Sequence, residues 1–482
     1  MERRRRSVDC DIKKGKEVDE LSPLLSSFIN NVPETILVEI FLRLPIKEII
    51  MCKSVCKIWY HLIRMPQFAK QHFDHAQPCA VVKRSQPLQG SRLLYLIEPH
   101  KVNVTYCLCD EGSVLCKHHR ATLKLDITMK IPLRNIELFP GLSGDFRIVN
   151  SCDGFLCLSE PLSNNPMVVC NPVTGEYLNL PGTEKSDGKM ENIVCGFGYS
   201  PKLNKYKVIR MFEQGESQAV DSLFDGSKCY SRTIAETYTF GNGSWERIGN
   251  VPVSMYSDES LSKQRKIFSH QFPIYCNGSV NWLYDHHNFS ENPSICSFDL
   301  DHDFFKPIEL PFSCTRFIQD CGSFSSCLGE LGGCMCLYFY SSLCESFSIW
   351  VMKKYGSPSS WTRIIRVYDN YDDGRYMPFG SYLPISYSDD AGLIMCTPST
   401  SGFVHLNQNH DWKYLKIQGV ESDFEAYSYV PTLVSLKDVL TNEDEILNVN
   451  TKDVMLREES KPLLLEEDDR DLEFREEHSD DD

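Results

Sequence analysis

A hairpin unit that recurs five times between residues 167 and 419 constrains the fold of this chain more than any other feature. Each copy contains a strand, a polar turn, an aromatic residue and a second strand with alternating apolar positions. The aromatic positions are Tyr177, Trp245, Phe304, Trp361 and Trp412, so neighbouring copies are 68, 59, 57 and 51 residues apart. Self-similarity at a nearly fixed spacing is typical of folds built from repeated supersecondary units.

A second hairpin signal, a turn glycine that leads into an apolar strand, precedes most copies. The glycines are Gly154, Gly278, Gly333 and Gly392. Two hairpins per period give four strands per unit, which is the blade of a β-propeller. The repeat therefore predicts that residues 78–436 form a six-bladed β-propeller-like domain. The alternatives are a seven-bladed propeller and a curved pair of β-sandwiches. A weaker first copy is expected in 93–133.

The propeller interpretation makes two further predictions. The strand-like run Tyr429–Leu436 is expected to return to the first blade and close the ring, because closure removes exposed strand edges. The aromatic residues of the repeat are expected to pack between neighbouring blades. Both predictions concern packing, and neither assigns a ligand-binding role to these positions.

Residues 32–73 have a different, helical periodicity. Ile36, Leu37, Ile40, Phe41 and Leu44 recur at the spacing of one helical face. The proline at position 33 suits a first helical turn, and the proline at position 45 ends this helix and begins the next. Three short helices in about forty residues cannot bury all of their apolar faces against each other. The segment therefore predicts an apolar surface that is left for a partner.

The order of short elements in this segment carries a family resemblance. Leu44-Pro45 is followed by Val55-Cys56-Lys57-x-Trp59 and then by Pro66-x-Phe68. The segment resembles an F-box, the helical module that docks a protein onto a Skp-type adaptor of a cullin ubiquitin ligase. It departs from the family at Val32, where leucine is usual. The alternative is an ordinary helical cap on a larger domain.

The resemblance implies which residues bind the adaptor. They are Val32, Pro33, Ile36, Ile40, Leu44, Pro45, Val55, Cys56 and Trp59.

The strand-rich region carries a second resemblance. Ser151–Cys157, Asn171–Thr174, Asn277–Trp282 and Ile349–Lys353 are similar to segments of the F-box-associated domain of plant F-box proteins, in the family's order. The layout is kelch-like, although only Gly332-Gly333 fits the glycine pair of a kelch repeat. The predicted organisation is given by four ranges: a disordered basic and polar arm (1–30), the F-box (31–76), the β-propeller-like domain (78–436) and a disordered acidic tail (437–482).

Charge and composition exclude several partners. The net charge is −16, but residues 441–482 contain 17 acidic and 5 basic residues, so the body of the chain is near neutral. A nucleic-acid partner is therefore not expected. No run of eighteen apolar residues exists, so no membrane partner is expected. The 21 cysteines and the absence of a secretory signal predict reduced core thiols and a cytoplasmic or nuclear protein, or both.

Catalytic and metal-binding patterns are weak. The motifs G-x-S-x-G, H-E-x-x-H and G-x-x-x-x-G-K-[ST] are absent, so we expect no enzyme and no cofactor. Cys107, Cys109, Cys116, His118 and His119 form a cluster whose spacing differs from the usual zinc patterns. A cysteine-rich hairpin is the favoured interpretation, and we expect no bound metal.

These observations predict the substrate-recognition subunit of a Skp–cullin–F-box ubiquitin ligase. Its partners would be a Skp-type adaptor, a cullin bound through that adaptor, and a target protein held by the propeller for ubiquitination and degradation. The target-binding residues and the identity of the target cannot be assigned from the sequence. One alternative is a non-degradative protein-binding propeller scaffold, and another is a propeller enzyme that would require a metal.

Overall fold

The computed structural model describes the elements of this fold in several segments. These are residues 32–84, 93–98, 102–105, 122–125, 129–132, 146–161, 163–182, 190–214, 232–248, 272–284, 294–311, 314, 324–341, 346–368, 383–388, 392–397, 402–407, 412–417 and 424–439. The acidic tail, the basic arm and the Cys107–His119 cluster lie outside these residues.

The N-terminal part of the described chain is helical. Four helices follow one another: α1 (Glu34–Phe41), α2 (Ile46–Cys52), α3 (Lys57–Ile63) and α4 (Pro66–His75). The prolines at positions 33 and 45 stand immediately before α1 and α2, rather than inside their first turns. The expected number of three helices is wrong because Pro66 begins a helix of its own, at a position where its missing N–H leaves no bond unmade.

The rest of the described chain consists mainly of 26 strands in six sheets. The first blade contains β1 (Cys79–Arg84), β2 (Leu93–Ile97), β5 (Met129–Pro132) and β26 (Phe424–Tyr429). The second blade contains β6 (Arg147–Cys152), β7 (Phe155–Ser159), β8 (Pro166–Asn171) and β9 (Glu176–Asn179). The third blade contains β10 (Met190–Ser200), β11 (Lys205–Gln214), β12 (Arg232–Thr239) and β13 (Trp245–Ile248).

The other three sheets repeat this order. The fourth blade contains β14 (Ile274–Cys276), β15 (Ser279–Tyr284), β16 (Ser294–Asp299) and β17 (Phe304–Glu309). The fifth blade contains β18 (Phe324–Leu331), β19 (Cys334–Ser341), β20 (Ser346–Met352) and β21 (Trp361–Tyr368). The sixth blade contains β22 (Leu383–Ser388), β23 (Gly392–Thr397), β24 (Gly402–Leu406) and β25 (Trp412–Ile417), and it is extended by β4 (Thr122–Leu125) and β3 (Val102–Thr105).

This topology is a six-bladed β-propeller, as the repeat predicted. In the second to sixth blades, consecutive strands pair antiparallel in chain order. The weak first copy is divided between two blades. β2 and β5 complete the first blade, whereas the β3–β4 hairpin adds to the outer edge of the sixth blade through a parallel pairing with β25.

The ring is closed by the last strand of the chain. β26 pairs antiparallel with β1, with Cys79 opposite Tyr429 and Arg84 opposite Phe424. The closing strand is therefore Phe424–Tyr429, and the expected Tyr429–Leu436 is wrong beyond its first residue. Residues 430–435 leave the sheet and dock on the second blade, and Leu436–Val439 forms the short helix α5.

Three residues of the second blade hold this final segment. The Asn171 side-chain amide donates to the carbonyl oxygens of Thr432 (3.1 Å) and Val434 (2.8 Å), and its oxygen accepts two backbone N–H groups of its own turn. Glu176 accepts the backbone N–H of Leu436 at 2.8 Å. Gly154 has φ +81°, and a Cβ at this position would collide with Thr432. The closing segment thus fits against both hairpins of the second blade.

The repeat aromatics partly behave as expected. The indole N–H of Trp245 donates to the Pro181 carbonyl (2.9 Å), and that of Trp361 donates to the Glu309 carbonyl (3.0 Å), so each ties its blade to the preceding one. Tyr177 is buried. Phe304 is 46% exposed, so the prediction is wrong there: its neighbour Phe305 packs on Phe298 in its place, with ring centroids 4.8 Å apart. The Trp412 side chain lies outside the described set.

The described cysteines are free thiols, and most of them are buried in the sheets. Burial raises the pKa of Cys170 and of Cys296 to about 12, because a thiolate would lose its hydration. These thiols are protonated at neutral pH and pack as small apolar groups, as the composition predicted.

We expect Asn171→Ala to lower the free energy of unfolding by about 2–4 kcal/mol, because it leaves the buried carbonyl of Thr432 and the partly buried carbonyl of Val434 without this donor. Chemical denaturation of the full chain measures this loss. Asn242→Ala, which removes an exposed side-chain bond to Glu246, is the matched control and should change stability by less than about 0.5 kcal/mol. Equal effects of the two substitutions would contradict the proposed role of Asn171.

Candidate functional site

Six large apolar side chains on the helical module face solvent. We call them the exposed apolar surface: Ile36, Ile40, Met51, Val55, Ile58 and Met65, which are between 43% and 55% exposed. Only three other large apolar side chains of the described residues are comparably exposed, and they are distributed over three blades. A concentration of apolar groups on one small module marks a site of protein interaction.

A packed core supports this surface from beneath. Leu37, Phe41, Ile49, Leu62 and Phe68 are buried between the four helices. The same cluster continues without a break into the first and second blades of the propeller. The helices therefore bury one set of apolar side chains within the chain and leave a second set exposed to solvent.

Trp59 belongs to the supporting core rather than to the outer surface. Its ring meets Phe41 edge-on, with centroids 4.9 Å apart and an interplanar angle of 76°. The indole nitrogen is buried and has no hydrogen-bond partner among the described residues. The side chain is partly buried and packs against the helical core.

The structure divides the predicted adaptor-binding residues into two layers. Pro33, Ile36, Ile40 and Val55 are exposed, whereas Val32, Leu44, Pro45, Cys56 and Trp59 are partly buried. Sequence reasoning missed the exposed side chains of Met51, Ile58 and Met65. Periodicity could not have found Ile58, because Ile58, Trp59, Leu62 and Ile63 all fall on one side of the seven-residue helix α3, within an arc of about 140°.

His72 links the last helix to the first two. Its Nε2 lies 3.1 Å from the carbonyl oxygen of Leu44, in the turn between α1 and α2, and the side chain is buried. Burial lowers the pKa of His72. The hydrogen bond to Leu44 opposes this effect, and nearby His75 adds to it. The neutral imidazole therefore donates its Nε2–H to Leu44.

The described residues contain no side-chain grouping that could hold a metal ion. No group of three or more His, Cys, Asp or Glu side chains in these segments converges on a metal-sized site. The predicted cysteine–histidine cluster at 107–119 lies outside them. None of the described helices has the length and apolar character needed to span a membrane.

A helical module with an exposed apolar surface, joined to a six-bladed propeller, defines a protein of the F-box class. Residues 29–71 match the F-box domain family, and residues 112–436 match the F-box associated β-propeller domain family. The chain belongs to the F-box-associated β-propeller family and is a plant F-box protein.

Relatives in Arabidopsis thaliana share this organisation. The chain is 26% identical to the F-box protein At3g07870 over 385 residues, which are 76% of this chain and 79% of that protein. It is 25% identical to the F-box/kelch-repeat protein At3g23880 over 415 residues, or 85% of this chain and 97% of that protein. It is 23% identical to the F-box protein CPR1 over 418 residues, 84% of this chain and 88% of that protein.

We expect Trp59→Ala to destabilise the helical module by about 2–4 kcal/mol, because it removes a ring packed on Phe41. Hydrogen exchange of α1–α4 in the full chain measures this change. Ile58→Ala is the control one residue away on the same helix, and it should alter protection by less than about 0.5 kcal/mol. Similar protection in both variants would refute the two-layer assignment.

We expect acid to loosen the helical module through His72. Because the folded-state pKa is lowered, the unfolded state binds the extra proton first as the pH falls through about 6.5. Stability from this residue is complete above that pH and declines below it, by at most about 1.4 kcal/mol per pH unit. His72→Gln should flatten the pH dependence of hydrogen exchange in α4, whereas exposed His61→Gln should leave it unchanged.

Proposed function

We propose that this chain is the substrate-recognition subunit of a Skp–cullin–F-box ubiquitin ligase. In this proposal the helical module binds a Skp-type adaptor, the adaptor connects to a cullin, and the propeller holds a target protein for ubiquitination and degradation. The observation that carries the proposal is the exposed apolar surface on helices that match the F-box family.

The two layers of the F-box have different tasks in this proposal. Pro33, Ile36, Ile40 and Val55 lose water against the adaptor, together with the exposed side chains that the sequence did not reveal. The partly buried residues hold α1–α3 in the orientation that presents them. Burial of several large apolar side chains at the centre of an interface accounts for most of the binding energy in typical complexes.

The connection between module and propeller supports a positional mechanism. Only residues 76–78 separate α4 from β1, and the hydrophobic cluster is continuous across this junction. A target bound to the propeller would thus be held at a set position relative to the adaptor. Such tethering raises the local concentration of a target lysine near the ubiquitin-charged enzyme. The chemistry belongs to other subunits, so this chain acts as a receptor and not as an enzyme.

We also propose that this receptor works in the cytoplasm, the nucleus or both. Support comes from the described cysteines of the propeller, which are all free thiols and are mostly buried. Reducing compartments maintain such thiols.

Co-purification with a Skp-type adaptor tests the first half of the proposal. The full chain should capture the adaptor, and a chain that lacks residues 31–76 should not. Ile36→Glu and Ile40→Glu should each weaken capture at least roughly tenfold, because they place a charge in an apolar contact. Leu203→Glu is the matched control, since Leu203 is 45% exposed on the third blade. Equal capture by the deleted chain would show that the helices are a structural cap.

The abundance of propeller-bound proteins tests the second half. Proteins captured by residues 78–436 should have longer half-lives in cells that express Ile36→Glu than in cells that express Leu203→Glu. Unchanged half-lives combined with normal adaptor capture would favour a non-degradative scaffold.

A further inference from the structure

The exposed apolar surface differs in charge between its two parts. Residues 46–65, which carry Met51, Val55 and Ile58, contain four basic residues and one acidic residue, a net charge of +3 with histidine neutral. Residues 34–45 contain two acidic residues and one basic residue, a net charge of −1. The three apolar side chains, which are 50%, 54% and 55% exposed, therefore lie on the positively charged part of the helical module.

Two lysines place positive charge next to these apolar side chains. Lys47 precedes Met51 by four residues on α2, so the two side chains lie on the same side of the helix. Lys57 begins α3 beside Ile58. Both lysines are exposed, and neither forms an ion pair with another described residue. This part of the surface therefore suits a partner that carries apolar and acidic groups together.

The acidic tail contains one segment with that composition. Residues 441–482 have a net charge of −12, and the three consecutive leucines at 463–465 are followed directly by four acidic residues at 466–469. We call these seven residues the leucine–acid segment. The other run of three apolar residues in the tail, at 454–456, is followed by the basic residue Arg457. The leucine–acid segment therefore matches the positively charged apolar surface better than the rest of the tail does.

The tail begins close to the F-box helices. Leu433 is buried in the hydrophobic cluster that also contains the core of α1–α4, and Val434 packs against this cluster. The chain then forms α5 (Leu436–Val439), which contacts β9 of the second blade. Twenty-three residues, 440–462, separate α5 from the leucine–acid segment, and a chain of that length spans up to about 80 Å. The segment can therefore reach the exposed apolar surface of its own chain.

We propose that the leucine–acid segment binds intramolecularly to the part of the exposed apolar surface formed by Met51, Val55 and Ile58. The leucines remove these side chains from water, which supplies the non-directional part of the attraction. The four acidic residues lie near Lys47 and Lys57. Charge complementarity selects this part of the surface over the part on α1, where like charges would meet.

The contact regulates access of the adaptor, and this part of the inference rests on the proposed function. Val55 belongs to the predicted adaptor-binding residues, so the tail and the adaptor compete for it. A segment tethered to the same chain has an effective concentration in the millimolar range, so even a weak contact covers the surface in many molecules. The apparent affinity for the adaptor is reduced in proportion to the fraction of molecules whose surface is uncovered.

Methionine-methyl NMR of the full chain tests the contact without the adaptor. Leu463→Ser, Leu464→Ser and Leu465→Ser, made together, give the leucine variant. In this variant the Met51 methyl signal should move toward the position of a solvent-exposed methionine, because the leucines no longer cover it. Met335, which is buried in the fifth blade, should keep its signal. An unchanged Met51 signal would overturn the proposal.

A second triple variant is the matched control. Val454→Ser, Met455→Ser and Leu456→Ser, made together, remove three consecutive apolar residues from the same tail at a position that is followed by a basic residue. This variant should leave the Met51 signal where it is in the unaltered chain. Equal shifts in the two triple variants would overturn the choice of segment in favour of a general apolar attraction of the tail.

Neutral replacement of the acidic residues tests the electrostatic part. Glu466→Gln, Glu467→Gln, Asp468→Asn and Asp469→Asn, made together, should move the Met51 signal in the same direction as the leucine variant does. High salt should do the same in the unaltered chain, because salt screens interactions between exposed charges. A signal that is insensitive to both changes would refute the selection of this surface by charge.

Dilution distinguishes a contact within one chain from a contact between two copies. The Met51 signal of the unaltered chain should keep its position over a tenfold range of protein concentration, because an intramolecular equilibrium does not depend on concentration. A position that moves toward that of the leucine variant on dilution would assign the segment to a second copy and overturn the intramolecular contact.

Adaptor affinity tests the competition. The leucine variant should bind a Skp-type adaptor roughly threefold or more tightly than the unaltered chain, because its surface is uncovered in every molecule. The control variant should bind like the unaltered chain, and equal affinities of all three chains would refute the competition. Failure of every chain to capture the adaptor would refute the ligase role, whereas the Met51 signal would still decide the intramolecular contact.

Discussion

The pairing of β26 with β1 is the constraint on which the rest of the structure depends. It joins the last strand of the chain to the first and converts six sheets into a ring. Hydrogen bonds connect β26 to the innermost strands of the blades on either side of it. The Ser428 hydroxyl donates to Ile385 of the sixth blade (3.2 Å), and the Ser151 hydroxyl of the second blade donates to the Ser428 carbonyl (3.1 Å). Asn150 continues the series through two bonds to the backbone of Phe197.

Because these contacts run from blade to blade, closure also positions the F-box. The helical core is continuous with the first and second blades, which are the two that meet the closing segment. A loss of closure would therefore disturb the packing that supports the exposed apolar surface. Stability of the ring and presentation of the F-box are consequences of the same packing.

The sequence predicted the local elements well because their causes are local. Turn residues such as Asp153-Gly154 and Asn277-Gly278 adopt positive φ in the structure, and these hairpins were recognisable from the turn chemistry. Pairings between distant segments were not predictable in this way. The β3–β4 hairpin joined a blade at the other end of the chain, and the closing strand lay a few residues earlier than expected, because both depend on which edge is free once the other sheets have formed.

The candidate site shows the same division. Periodicity identified the helices, but it did not separate Trp59, which packs on Phe41, from neighbouring Ile58, which is 55% exposed. That distinction depends on how the helices cross each other.

The closed ring protects the buried cysteines from reaction. Cysteines lie inside the second to sixth blades and at the closing seam, and their low reactivity depends on burial that only the closed ring provides. A blade that opens exposes sulfur to oxidants and to disulfide exchange with neighbouring chains. Oxidation adds bulk and polarity to a close-packed interior, so an oxidised blade could not return to its place. Closure of the ring therefore keeps the buried thiols out of contact with solvent as well as removing the exposed strand edges.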